Sequence, residues 1–269
     1  MARPKRKPVQ KYHDRVAHLY DDSYDDEYWQ WHDALTWDYL KPHLPVDLSG
    51  RIVDLGCGTG KWAAKIARSG YHVTCVDISA RMLDESRAKL ADAAKGRAEF
   101  LQADLCDMAA IPDASFACAV ALGDPIGCTE SPAKAMKEIR RILAPGGVLI
   151  ATFDNRLAAI DFYLDAGDIG ELTRFLRDGR THWLTRDAAE RFEIHTHAPT
   201  DVRALCERAG FTMLDMVGKT VLPMRKHRAL LADSEARRAW ARLEKDLCRD
   251  PAAMGRASHL QVACRVTAP

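Results

Sequence analysis

Residues 53–60 read Val53-Asp54-Leu55-Gly56-Cys57-Gly58-Thr59-Gly60, where an apolar run gives way to an amphipathic stretch. Glycines at such a turn let the backbone approach a ligand that any Cβ would repel, which suits the binding of a nucleoside-type cofactor. A dinucleotide fingerprint wants a third glycine, or a small residue, where Lys61 stands, and a long cation fits close helix–strand packing poorly. Asp54, just before the turn, would repel a pyrophosphate but could receive a cationic amine through water or backbone groups. The pattern therefore favours a cofactor with an ammonium group over a dinucleotide.

Two further carboxylates fall at useful spacings. Asp77 ends the run Val73-Thr74-Cys75-Val76-Asp77-Ile78-Ser79, nineteen positions after Gly58, near the spacing of an acid that accepts both hydroxyls of a ribose. The alternative is a helix N-cap, a role Ser79 fills equally well. Asp104, in Leu101-Gln102-Ala103-Asp104-Leu105, closes a third apolar run and could accept from an adenine amino group, with Leu105 and Met82 sandwiching the ring. An isolated Asp after a strand is otherwise a turn residue.

These residues must be held by a regular frame. From Arg51 onward, short apolar runs at 51–55, 72–77, 98–101, 116–122 and 147–153 alternate with helical stretches at 61–69, 80–93 and 131–143. That alternation predicts an α/β fold with a mostly parallel sheet and helices on both faces. After a less regular portion, 155–198, the pattern resumes with a helix at 199–208, a strand at 211–217, a helical insert at 225–248 and a strand at 259–266. The expected architecture is a Rossmann-like sheet of seven strands. Its parts are a disordered basic tail (1–11), an N-terminal helical aromatic segment (12–48), a cofactor-binding core (49–154), an inserted cap (155–198) and a C-terminal part of the core (199–269). Within 12–43, Tyr20, Tyr24, Tyr28 and Trp31 recur at steps of four, four and three, so one continuous helix would set them on one face. They either pack on the core or cap a ligand.

In this order the motifs resemble those of the class I S-adenosylmethionine (SAM) dependent methyltransferases. The glycine loop is similar to that family's first motif, V-T-C-V-D-I-S to its second, L-Q-A-D-L to its adenine motif, and Leu143-Ala144-Pro145-Gly146-Gly147 to its late L-x-P-G-G element. The similarity runs from about Arg51 to Phe153 and continues more faintly to the final two strands. It implies SAM as cofactor and S-adenosylhomocysteine as product, with Gly56 and Gly58 along the methionine and ribose, Asp77 and Ile78 at the ribose, and Asp104 and Leu105 at adenine. By the same resemblance Asp54 supports the methionine amine indirectly, and Tyr20-Asp21 lies over the cofactor.

Methyl transfer from a sulfonium needs alignment and exclusion of water more than covalent help. The segment Leu122-Gly123-Asp124-Pro125-Ile126-Gly127 falls beside the expected methyl position. Leu122 could offer its carbonyl to the cofactor amine, and Asp124 could steer or deprotonate an acceptor, unless Asp124-Pro125 is an ordinary turn. Asp-Pro followed by Ile126 and Gly127 lacks the aromatic that enzymes methylating exocyclic base amines stack on their acceptor. His182, His195 and His197 titrate in a useful range. His182 is the second catalytic candidate, Tyr28 and Trp31 are the substrate-binding candidates, and no metal site is expected.

Composition narrows the partners. Lys plus Arg (39) nearly cancels Asp plus Glu (38), so no whole-chain field attracts nucleic acid or an anionic membrane. The eight cysteines show no C-x-x-C pair, MARPKRKPVQK lacks the apolar stretch of a signal peptide, and no run reaches membrane-spanning length. The expectation is a cytoplasmic enzyme methylating an O, N or C atom of a small molecule, with no membrane, with nucleic acid disfavoured, and with homo-oligomerisation left open. Two alternatives stand: an RNA or protein methyltransferase docking through the basic tail, and a SAM-binding module without turnover.

Overall fold

The computed structural model describes residues 6–94, 96–182 and 191–267. The chain opens with α1 (Pro8–Val16), passes through two short 3-10 turns, and continues in α2 (Glu27–Leu40). The core then alternates β1 (Ile52–Leu55), α3 (Lys61–Arg68), β2 (Val73–Asp77), α4 (Ala80–Ala93), β3 (Ala98–Gln102), β4 (Phe116–Ala121), α5 (Pro132–Ile142) and β5 (Leu143–Asp154). Next come α6 (Ile160–Ala166), α7 (Ile169–Asp178) and a small ribbon of β6 (Arg180–Thr181) with β7 (Ile194–His195). The chain re-enters the core through α8 (Pro199–Arg208) and β8 (Phe211–Lys219), passes α9 (Ser234–Leu247) and α10 (Pro251–Met254), and ends in β9 (His259–Val266).

Seven strands form one sheet in the order β3-β2-β1-β4-β5-β9-β8, with β9 antiparallel to both neighbours. The expected seven-stranded, mostly parallel Rossmann-like sheet is what the chain builds. Alternate residues of β1 serve opposite faces. Val53 and Leu55 join a core with Ile139 and Val202, whereas Ile52 joins another with Ile66, Leu83 and Leu90. Burial on both faces explains why the first strands read as continuous apolar runs. Strand order reverses between β1 and β4, and in an open α/β sheet the ligand crevice lies above the carboxyl ends at that point.

The N-terminal segment departs from expectation twice. Residues 8–11, expected in a disordered tail, belong to α1, which Pro8 opens with a φ already suited to a helix. Two of the described basic residues of this tail are engaged: Arg6 pairs with Asp14, and Lys7 pairs with Asp104 and Glu130. Arg3 and Lys5 lie outside the described residues, as does Trp183 of the cap. The second departure is that the aromatic segment is not one helix. Asp26 caps α2 by accepting from the backbone N–H of Trp29, and this local bond restarts the helix after the 3-10 turns that carry Tyr20 and Tyr24. The four rings therefore do not share one face.

Candidate active site

The carboxyl ends of β1, β2 and β4 open into a cleft whose empty space, including the part open to solvent, is about 760 Å³. Its floor is the glycine loop. Gly56 and Gly58 have φ of +64° and +53°, and a Cβ on Gly56 would fall 2.3 Å from Cβ of Pro125. Gly58 is different: a Cβ there meets nothing within 4 Å, so its bare side faces free space along the cleft it lines. Gly60, also at positive φ, solves the packing problem that Lys61 raised, because α4 presses Ser86 and Leu90 against it.

Asp77 is buried and accepts from the backbone N–H of Gly58 (2.9 Å) and of Ser79 (2.8 Å). Ser79 is the N-cap of α4, accepting from the N–H of Met82, so Asp77 is left facing the cleft. Burial raises the Asp77 carboxyl above the ordinary range. Asp104 accepts from the N–H of Cys106 through Oδ1 and holds the Lys7 ammonium at 2.7 Å through Oδ2. Ile78, Leu105 and Leu122 supply apolar wall, with Gly123, Pro125, Cys128 and Thr129 on the side of β4.

Lys7, Val9, His13 and Tyr20 line the cleft from the N-terminal segment. Two short bonds seat this segment on the core: Thr59 Oγ1 donates to Asp21 Oδ1 (2.6 Å), and Ser79 Oγ donates to Asp14 Oδ1 (2.6 Å). Phe192, just before β7, meets the rings of Tyr12 and His13 at 5.8 and 6.2 Å, joining the end of the inserted segment to α1.

Eight expected cofactor residues thus converge on the cleft: Tyr20, Gly56, Gly58, Asp77, Ile78, Asp104, Leu105 and Leu122. Asp54 and Met82 are outside its lining. Met82 is fully buried in the first turn of α4. Asp54 is 1% exposed, and its Oδ2 has no partner. Burial, opposed by the N–H of Ala63 and assisted by the Asp77 charge, lifts it to about 7.

The acceptor-side candidates are placed elsewhere. Asp124, at φ +55°, spends its carboxylate on the backbone, accepting from Gly127 N–H (2.8 Å) and Asp154 N–H (2.9 Å), and burial holds it well above the ordinary carboxylate range. It braces the ends of β4 and β5. Tyr28 and Trp31 pack with Leu35, Val217, Met224 and Leu231 in a separate cluster. His182 has Nδ1 2.9 Å from the carbonyl oxygen of Phe192 and is not in the cleft lining. Among the described residues no group of three or more His, Cys, Asp or Glu could hold a metal. Lys7, Val9, His13 and Cys128, which do line the cleft, carry no motif; only their place before β1 or after β4 hinted at them.

Residues 52–147 match a family model described as a methyltransferase domain. The demethylmenaquinone methyltransferase of Clavibacter sepedonicus is 37% identical over 100 residues, covering 37% of this chain and 39% of that protein. The ubiquinone biosynthesis O-methyltransferase of Xylella fastidiosa is 28% identical over 207 residues, covering 73% and 74%. Matches to the first relatives span about half of their length or less. Among solved structures, the 4+2 cyclase SpnF superposes with a TM-score of 0.66 at 20% identity, over 99% of this chain and 97% of that one. That likeness is one of fold.

Proposed function

The chain belongs to the class I SAM-dependent methyltransferase superfamily, and on that premise we propose that it transfers a methyl group from SAM to a small-molecule acceptor. One observation carries the reading: the bare side of Gly58, the buried Asp77 and the Asp104 carboxylate line one cleft, as contacts to the methionine, ribose and adenine of SAM would require. SAM fits this donor set. Asp77 would accept from both ribose hydroxyls and Asp104 from the adenine amino group, with Ile78 and Leu105 against the ring. The orphaned Asp54 Oδ2 beneath the loop offers a charge for the methionine ammonium to feel through the backbone. Bound SAM supplies an electrophilic methyl; the residues of α1 and Tyr20 exclude water from it and align the acceptor.

A roofed cleft suits a small acceptor, and the names of the demethylmenaquinone and ubiquinone relatives support a phenolic or quinone-like one. Docking of RNA or protein through a basic tail is disfavoured because Arg6 and Lys7 are already paired within the chain. A SAM-binding module without turnover is the remaining alternative. No helix of the described residues is long and apolar enough to cross a membrane. All eight cysteines are free, which supports a reducing compartment such as the cytoplasm. Incubation with methyl-labelled SAM and a metabolite extract tests the proposal. We expect label in a small organic product with matching S-adenosylhomocysteine; cofactor binding with no product in any fraction would favour the module without turnover.

A further inference from the structure

The amino edge of the sheet, opposite the cofactor cleft, carries a second hollow that methyl transfer does not use. It opens where α2 gives way to the stretch 42–46. Strand alternation puts Gln261, Ala263 and Arg265 of β9 on one face. Gln261 lies under α2, donating to the carbonyl oxygen of Thr36 at 3.1 Å, and Ala263 is buried. At Arg265 the helix has ended, and the side chain is exposed.

Between the stretch 42–46 and the first residues of β4 and β5 is a groove whose empty space, including the part open to solvent, is about 880 Å³. Its floor is made of small residues, Ala117, Ala144, Gly146 and Gly147, where larger side chains would fill it. The facing wall is anchored twice. Tyr71 donates its hydroxyl to the carbonyl oxygen of Pro45 at 2.7 Å, and His43 Nε2 lies 3.7 Å from Oδ2 of Asp215, which Arg249 holds at 2.6 Å. Pro42 and Pro45 stiffen the same stretch, so the groove is preformed.

The lining is apolar and uncovered. Val46 is fully exposed and Leu214 is 41% exposed, with Val148 along the same groove. Single exposed apolar residues are ordinary, but several around one concavity mark a ligand groove. Its lining contains no carboxylate, and Arg265 forms no hydrogen bond or ion pair among the described residues. A guanidinium free to bond, set in an apolar groove, matches a ligand with an apolar body and one anionic head, because its planar fork receives two carboxylate oxygens at once.

We propose that this groove binds a free amphiphilic anion, an aliphatic chain ending in one carboxylate. The chain lies against Val46, Val148 and Leu214, and the head pairs with Arg265. The groove and the cofactor cleft sit at opposite edges of the sheet and share no lining residue. The site therefore stands apart from the methyl-transfer reading, and cofactor affinity serves as a control.

Methyl NMR of the full chain, loaded with S-adenosylhomocysteine and titrated with monomeric decanoate, tests this. The Val46 and Leu214 signals are assigned from Val46→Ala and Leu214→Ala, and decanoate should move both. Decanol, which keeps the chain but lacks the charge, should bind at least about ten-fold more weakly, and Arg265→Gln should bring decanoate to the level of decanol. Ala144→Leu, which fills the floor, should abolish both responses. Neither variant should alter S-adenosylhomocysteine affinity. Unmoved Val46 and Leu214 signals, equal binding of decanol, or unaltered decanoate binding in Arg265→Gln overturns the proposal, as does a response to phosphatidylglycerol vesicles alone. If Ala144→Leu does not fold, the wild-type shifts and the exposed Arg265→Gln decide.

Discussion

Asp77 and Asp54 are both buried acids near the glycine loop, yet their surroundings give them different work. Asp77 lines the cleft and already orders the loop through Gly58, so Asp77→Ala should weaken SAM at least roughly 100-fold, as expected for two charge-assisted hydrogen bonds at about 1.5–3 kcal/mol each. Calorimetric titration checks this, and unchanged affinity would reduce Asp77 to a loop fastener. Asp54 has no place in the lining, and its signature is thermal. Its folded pKa, raised by burial to about 7 from 3.8, means that the folded state keeps a proton which the unfolded chain has lost between those values. Its contribution to stability is therefore greatest in acid and falls as pH rises from about 4 to about 7. Asp54→Asn does not titrate, so its Tm advantage over the parent should grow across that window and level off above it; a constant difference from acid to neutral pH would contradict this. The spacing of Asp77 after Gly58 made the ribose acid legible in the sequence. Asp124 was not legible, because a carboxylate after a strand reads alike whether it meets an acceptor or, as here, two backbone N–H groups.

Strands and helices of the core were legible to within a residue or two over 52–142, where short apolar runs and capped helices agree with the fold they enter. The N-terminal segment was not, because ring spacing suggests one helix whereas the Asp26 cap and the preceding 3-10 turns divide it. That division sends Tyr28 and Trp31 to the cluster with Val217 and Met224, while Tyr20 stays over the cleft. The position of α1 makes a prediction of its own. Lys7 reaches the Asp104 oxygen that adenine would use, and the pair is partly exposed, with side-chain accessibilities of 34% and 23%. Such pairs contribute about 0.2–1 kcal/mol, so Lys7→Met should tighten S-adenosylhomocysteine by up to about five-fold. Weaker binding in the same titration would mean that Lys7 holds α1 over the ligand instead of occupying its seat.

At the scale of the whole molecule, the reversal of strand order between β1 and β4 decides where a ligand can lie, and chain outside the β/α core decides what covers it. Among its described residues, the inserted segment covers the cleft through a short stretch. Helices α6 and α7 pack on each other around Tyr163 and Phe175, and the stretch from Phe192 to His195 approaches the cleft, through the rings of α1 and a bond from His195 N–H to the Gly127 carbonyl. Pattern reading finds such an insertion but not its docking, which depends on contacts between residues far apart in sequence. The central claim, that this cleft is built for SAM and not for a dinucleotide, rests on the match of residues 52–147 to a methyltransferase domain and on Asp54 beneath the glycine loop, where an acid would repel a pyrophosphate. Isothermal titration of the full chain with SAM, S-adenosylhomocysteine and NAD tests it most directly. Saturable binding of the first two, lost in Asp77→Ala, with no heat from NAD is the predicted result; tight NAD binding with no response to SAM would contradict it.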